Sequence, residues 1–250
     1  MELWYEQPAK NWEEALPVGN GRLGAMIAGS PDQETIWLNE DSIWSGKPLN
    51  RINPDAKKYL PYIREMIRQG NIANAESLSL KALAGTPNSE RAYQSAGELY
   101  IKFKNGGEWH NYRRALDLNK GISTVQYVVD GTKYKREMFA SFPEQVMVLH
   151  MQAEGKGTLD FCCHLERCHN RTDEVWAQEN TIGFVVDGGK GISFSVQLAV
   201  YTDEGDVYPI GEHLLVEGAK EAVIYINIET SFREKKRSEE RRVGKECIAL

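Results

Sequence analysis

A chain of 250 residues with 41% hydrophobic side chains can bury a sizeable core, as one large all-β domain or as two ordinary ones. The net charge is −6 even though residues 233–250 carry a surplus of lysine and arginine, and an acidic body argues against phosphate-backbone binding, so no nucleic acid partner is expected. No run of eighteen apolar residues offers a membrane span, and MELWYEQPAKNW lacks the basic and apolar pattern of a leader. The chain as written therefore reads as cytoplasmic, unless a signal peptide lies upstream of this start.

The first dense block, Pro17 to Gly29, reads PVGNGRLGAMIAG, and the second, Trp37 to Gly46, reads WLNEDSIWSG. Gly19-Asn20-Gly21-Arg22-Leu23-Gly24 carries glycines at the positions of a dinucleotide fingerprint, with Glu40 and Asp41 at about the acidic distance beyond. A pyrophosphate site needs a strand leading in and a helix leading out. Here the exit AMIAGSP is cut by Gly29, Ser30 and Pro31 within about one helical turn. A glycine-bent loop feeding a strand is expected instead, and no cofactor. One short turn through Pro31-Asp32 separates the blocks, so a hairpin should bring their far ends together.

Glu40 and Asp41 also invite a glycosidase reading, one carboxyl as acid and one as base or nucleophile. Adjacent strand residues leave on opposite faces, and neighbours do not hold a sugar between them at the roughly 5 to 9.5 Å that hydrolysis requires. A polar loop is favoured, its carboxylates accepting backbone or arginine hydrogen bonds. Of Trp37 and Trp44, one is expected in the core and the other facing a ligand or a second domain.

A helical excursion is expected from Asn53 to about Leu83, with Asn53 as cap and Pro54 in the first turn. Tyr59, Ile63, Met66 and Ile67 form its apolar face, Gly70 stops it, and a second helix, Ile72 to Leu83, pairs with it. Pro61 should break the first helix into a short piece, a kink, and Pro61 to Gln69.

Elsewhere the pattern alternates as half-buried strand. Leu99, Ile101 and Phe103 share one face of GELYIKF, and Val125, Tyr127 and Val129 one face of STVQYVV. Asp130-Gly131 suits a tight hairpin turn into KYKREMFASF. Further strands are expected at Ala25 to Ala28, Thr35 to Leu38, Val146 to Ala153, Thr158 to Leu165, Thr181 to Val186, Ile192 to Tyr201, Leu214 to Glu217 and Ala222 to Thr230. Short strands with turns between them, and no alternating helices, predict an all-β antiparallel sandwich over residues 1–232 with a helical insertion near 53–84. Residues 233–250, REKKRSEERRVGKECIAL, look like a charged, disordered or artefactual tail.

CCHLERCHN gathers Cys162, Cys163, His164, Cys168 and His169 without zinc-site spacing, and alternation puts Cys163 opposite Cys162 and His164, so no metal is expected. Cysteines so placed make a poor disulfide framework. His110, His150 and His213 read as isolated surface or packing residues, with no nucleophile-elbow context.

The two blocks, followed in order by NPDAKKYLPYIREMIRQG, YQSAGELYIKF, YRRALDL, YKREMFASFPEQVMVL and INIETSF, resemble the amino-terminal domain of glycoside hydrolase family 95, the α-L-fucosidase family, from about Trp4 to Phe232. The resemblance implies an inverting glycosidase in which a glutamic acid protonates the leaving oxygen and an asparagine polarised by an aspartate activates water. Those residues belong to a downstream barrel of twelve helices, which needs on the order of 200 residues or more. Residues 233–250 are too few, so no catalytic residue is assigned here. The implied partners are the missing catalytic barrel in cis and an oligosaccharide substrate. Asn20, Arg22, Asn39, Glu40, Asp41 and Trp44 are then expected to cluster on one exposed end of the sandwich, as a substrate or domain-interface surface. The alternative is a stand-alone carbohydrate-binding or domain-assembly module without catalysis.

Overall fold

The computed structural model describes residues 1–104, 106–167, 172 and 174–232. The expected tail, Cys168, His169 and Cys247 lie outside the described residues. Two compact units emerge: Met1–Ile43 together with the described residues from Gln94 onward, and Trp44–Tyr93.

The larger unit is built from β1 (Glu2–Tyr5), β2 (Leu16–Gly19), β3 (Leu23–Ile27), β4 (Gln33–Glu40), β5 (Gly97–Phe103), β6 (His110–Asp117), β7 (Ile122–Val129) and β8 (Thr132–Ser141). It continues through β9 (Val146–Glu154), β10 (Leu159–Glu166), β11 (Glu174–Gln178), β12 (Thr181–Val186), β13 (Phe194–Thr202), β14 (Asp206–Ile210), β15 (His213–Ala219) and β16 (Glu221–Thr230). A nine-stranded sheet runs β1-β6-β7-β8-β9-β16-β13-β12-β11, and a seven-stranded sheet runs β14-β15-β10-β5-β4-β3-β2. All pairings are antiparallel. The expected all-β sandwich is the fold.

Its core lies between the sheets because the inward phase of nearly every strand is apolar. Ile36 and Leu38 of β4, Leu99 and Ile101 of β5, and Phe161 and Cys163 of β10 meet Met147, Leu149, Val196, Leu198, Ile224 and Ile226 of the other sheet. Val125, Tyr127 and Val129 are buried as a single face. The β7–β8 turn falls at Asp130 (φ 47°) and Gly131 (φ 76°), the positive pair that a tight hairpin demands.

In the smaller unit, α1 (Ala56–Arg68) and α2 (Ile72–Ala82) pack Tyr59, Ile63 and Met66 against Ala75, Leu78 and Ala82. Two expectations need correction. Ile67 is exposed, since a seam between two helices covers only a narrow stripe and Ile67 sits at its margin. Pro61 lies inside one continuous α1 instead of dividing it. Its missing N–H deprives only the carbonyl of Lys57, an exposed first-turn residue whose oxygen water can serve. Asn53 acts just before the helix: its Oδ1 accepts the N–H of Asp55 at 2.9 Å, and Asp55 occupies the cap position.

Candidate functional site

The two dense blocks do form consecutive hairpins. β2 pairs with β3, Gly19 facing Gly24, and β3 pairs with β4, Leu23 facing Glu40, so the Asn20-Gly21-Arg22 turn stands beside the end of β4. Where a dinucleotide site would need a helix after the glycine fingerprint, the chain forms a strand. Gly21 takes φ +92°, and Asn20 organises the turn around it. Asn20 Oδ1 accepts the N–H groups of Arg22 (3.0 Å) and Leu23 (2.8 Å), while its Nδ2 donates to Ser141 O at 2.8 Å, in the opposite sheet.

Arg22 makes the same crossing. Its Nε donates to Gln145 Oε1 (2.6 Å), Nη2 to Gln145 O (2.9 Å) and Nη1 to Ile228 O (2.7 Å), with Glu40 Oε1 3.7 Å from Nη1. Glu40 is fully buried, because the period-two pattern that turns Ile36 and Leu38 inward turns it inward too. Its Oε2 accepts the N–H (2.7 Å) and the hydroxyl (2.6 Å) of Ser42. The Ser42 hydroxyl, having spent its proton there, accepts from Thr230 Oγ1 at 2.7 Å on β16.

Asn20, Arg22 and Glu40 are thus brought together, but as a polar clamp between the sheets. Asp41 is exposed and joins through its backbone, its N–H donating to Arg22 O at 3.0 Å. Asn39 is half-buried on the outward face of the seven-stranded sheet, beside Gly24. Trp44 belongs to the smaller unit, where it is 43% exposed and meets Tyr93 edge-on with ring centroids 5.0 Å apart. The expected exposed cluster is corrected in this respect: Glu40, fully enclosed, offers no surface. Ser42, Thr230 and Gln145, its working partners, went unrecognised in the sequence.

A second buried polar centre lies at the other end of the β3–β4 hairpin. Glu34 Oε1 accepts the N–H groups of Gly29 (2.7 Å) and Thr35 (3.1 Å), and Oε2 lies 3.3 Å from Arg136 Nη2, which also donates to Ser30 O at 2.9 Å. The Arg136 guanidinium covers the rings of Phe103 (4.9 Å) and Tyr127 (5.5 Å), and its Nε and Nη1 make no hydrogen bond to a described residue. Tyr112 donates to Gly29 O at 2.8 Å, while Arg114 donates to Gln7 O (2.8 Å) and Glu14 O (2.7 Å). Burial raises the Glu34 carboxyl above its ordinary value against the pull of Arg136, and raises the hydroxyls of Tyr112 and Tyr127. The signal was present: the inward phase of β4 reads Glu34-Ile36-Leu38-Glu40, an apolar pair bracketed by carboxylates.

Cys163 is buried with its thiol pushed up to about 12 by desolvation, and Cys162 lies on the other face, as alternation required. His213 is not isolated: its ring centroid lies 4.7 Å from that of His164, which stacks on Tyr100 at 5.2 Å. Desolvation and the neighbouring His213 lower the His164 pKa.

Two antiparallel sheets stitched by buried polar clamps define a β-sandwich domain. The chain belongs to the family described as "Glycosyl hydrolase family 65, N-terminal domain", whose model it matches over residues 3–235. It is 31% identical to "Alpha-L-fucosidase 2" of Arabidopsis thaliana over 93% of this chain and 30% of that protein. It is also 35% identical to "Probable alpha-fucosidase A" of Aspergillus niger over 60% of this chain and 20% of that protein. The chain therefore spans less than a third of these relatives. Among solved structures, "Putative kojibiose phosphorylase from human microbiome" shares the fold with a TM-score of 0.51 at 10% identity, over 94% of this chain and 33% of that one. No helix among the described residues is long and apolar enough to cross a membrane.

Proposed function

We propose that the chain is the non-catalytic N-terminal module of an inverting, family 95-type α-L-fucosidase, acting by docking onto a catalytic barrel that carries the acid and base. The observation that carries this reading is the fate of Glu40 and Asp41. Buried and hydrogen-bonded to Ser42, Glu40 is not presented to a substrate, while Asp41 is exposed at the surface beside it. A pair so divided does not flank a glycosidic oxygen. Asn39, Asp41 and Trp44 remain as candidate contacts to the barrel or to an oligosaccharide in its pocket.

The test is release of the aryl group from an aryl α-L-fucoside by the purified chain, with no turnover expected. Turnover abolished by Glu40→Gln or Asp41→Asn would place the active site in this domain. In a longer enzyme containing the module, the first-formed sugar should be the β-anomer, read by NMR during hydrolysis, and Trp44→Ala should lower activity.

A further inference from the structure

We propose that the outward face of the nine-stranded sheet, where β11, β12, β13 and β16 meet, binds a neutral pyranose sugar. The register sets Trp176 opposite Gly183, Gly183 opposite Gln197, and Gln197 opposite Asn227, one continuous row across four strands. The next row on the same face holds Glu174, Val185, Ser195 and Glu229. Their neighbours along each strand, Ile182, Phe184, Val196, Leu198, Ile226 and Ile228, fill the core, so these two rows point away from it.

Three features distinguish this face from an ordinary solvated one. Gly183 weakens a strand interior and its φ is not in the positive range, so the backbone does not require it. The indole does: a Cβ at 183 would lie 2.3 Å from Trp176 Cζ2. The glycine seats the ring flat on the sheet, leaving Trp176 half-buried. Beside the ring, Gln197 is 8% exposed and Ser195 4% exposed, yet neither side chain hydrogen-bonds to a described residue. Their polar atoms are not fully enclosed, so water serves them in the free chain and a ligand's hydroxyls would take its place. Finally, Asn227 Nδ2 donates to Glu229 Oε1 at 3.4 Å, which orients a second amide in the same row.

The chemistry matches a sugar. A pyranose offers an apolar C–H face to an aromatic ring, and hydroxyls that both donate and accept, as the amides of Gln197 and Asn227 do. The two rows hold the carboxylates Glu174 and Glu229 and no basic group, which disfavours an anionic ligand. The site is on the opposite face of β16 from Ile228 and Thr230, and so is separate from the Arg22–Glu40 clamp. It does not depend on the fucosidase assignment.

Titration of the ¹⁵N-labelled chain with L-fucose, D-galactose and D-glucose, followed by NMR, tests it. At least one sugar should shift the Trp176 indole N–H and the side-chain amides of Gln197 and Asn227, and Trp176→Ala should weaken binding about tenfold or more. Gln197→Leu should abolish binding while leaving the urea midpoint nearly unchanged, because the amide hydrogen-bonds to no described residue and gives way to an apolar group of similar volume. This variant keeps the test valid if Trp176→Ala fails to fold. Silence of these signals with all three sugars, shifts confined to other residues, or undiminished binding by folded Gln197→Leu overturns the proposal.

Discussion

Each end of the β3–β4 hairpin buries a carboxylate of β4 near an arginine, but the two ends are held by different physics. At the turn end, Arg136 is 3% exposed, lies between aromatic rings and has two guanidinium nitrogens without a hydrogen bond among the described residues, so the Glu34 charge is its principal compensation. At the open end, Arg22 directs all three guanidinium nitrogens to the Gln145 side chain and to carbonyls of Gln145 and Ile228, and Ser42 serves Glu40. The turn end is an ion pair that needs both members. The open end is a hydrogen-bonded stitch in which the charge pair, at 3.7 Å, is secondary.

The largest effect is therefore expected at the turn end. Arg136→Ala strands the Glu34 carboxylate in the core and should cost about 3–5 kcal/mol of unfolding free energy, read from urea denaturation. Replacing both members, Glu34→Leu with Arg136→Met, should recover only part of this. The N–H groups of Gly29 and Thr35 would lose their acceptor. Complete recovery would mean that those backbone bonds contribute little. Arg22→Ala at the open end should cost less, about 2 kcal/mol by the same assay, because a part-exposed site lets water reach the freed carbonyls. A loss larger than that of Arg136→Ala would reverse the ranking of the two ends.

A pH series separates the ends by a smaller margin. Burial raises the folded-state pKa of Glu34 above its unfolded value near 4.5, so over the interval between the two the native state binds more protons than the unfolded state. Stability then falls as pH rises through that interval. Relative to Glu34→Gln, which does not titrate, the wild-type chain should lose ground as pH rises from about 4.5 through the raised pKa of Glu34, measured as the difference in urea midpoint. A difference that stays constant or grows in favour of the wild type would show that Arg136, not desolvation, governs this carboxyl.

The strands that the sequence hid explain why one end was legible and the other was not. β5 and β12 were readable residue for residue, since their inward phase is uninterrupted apolar and their limits are turns. The unrecognised strands β1, β2, β11 and β14 are the four sheet edges, short and partly solvated on both sides, where alternation has no reason to be strict. β6 was missed for another reason: Arg114 occupies its inward phase and breaks the apolar pattern. The same disguise covers Glu34 and Arg136, charged residues in core register whose partners come from a different sheet. The open end was visible because its glycine, asparagine and carboxylates lie in two contiguous blocks. Contiguity also misled, because the polar density that suggested an exposed surface belongs largely to an internal stitch, and only the fold shows that Ser141, Gln145 and Thr230 complete it.

The smallest expected effect is the most informative about function. Asp41 sits one residue beyond the buried Glu40 and secures the open end through its N–H to Arg22 O, a bond that a side-chain truncation leaves in place. Asp41→Ala should accordingly change the stability of the isolated chain by no more than about 0.5 kcal/mol. The carboxylate itself is exposed at the place where both conspicuous blocks converge, so in a longer enzyme carrying this module its removal should lower fucosidase activity or loosen the association of sandwich and barrel. These two readouts divide the open end into a structural part, Arg22 and Glu40, and a contacting part, Asp41. Destabilisation of the isolated chain by Asp41→Ala to the degree of Arg22→Ala would assign Asp41 to the clamp. Unaltered activity of the longer enzyme would remove the open end from the docking surface and leave Asn39 and Trp44 as its remaining candidates.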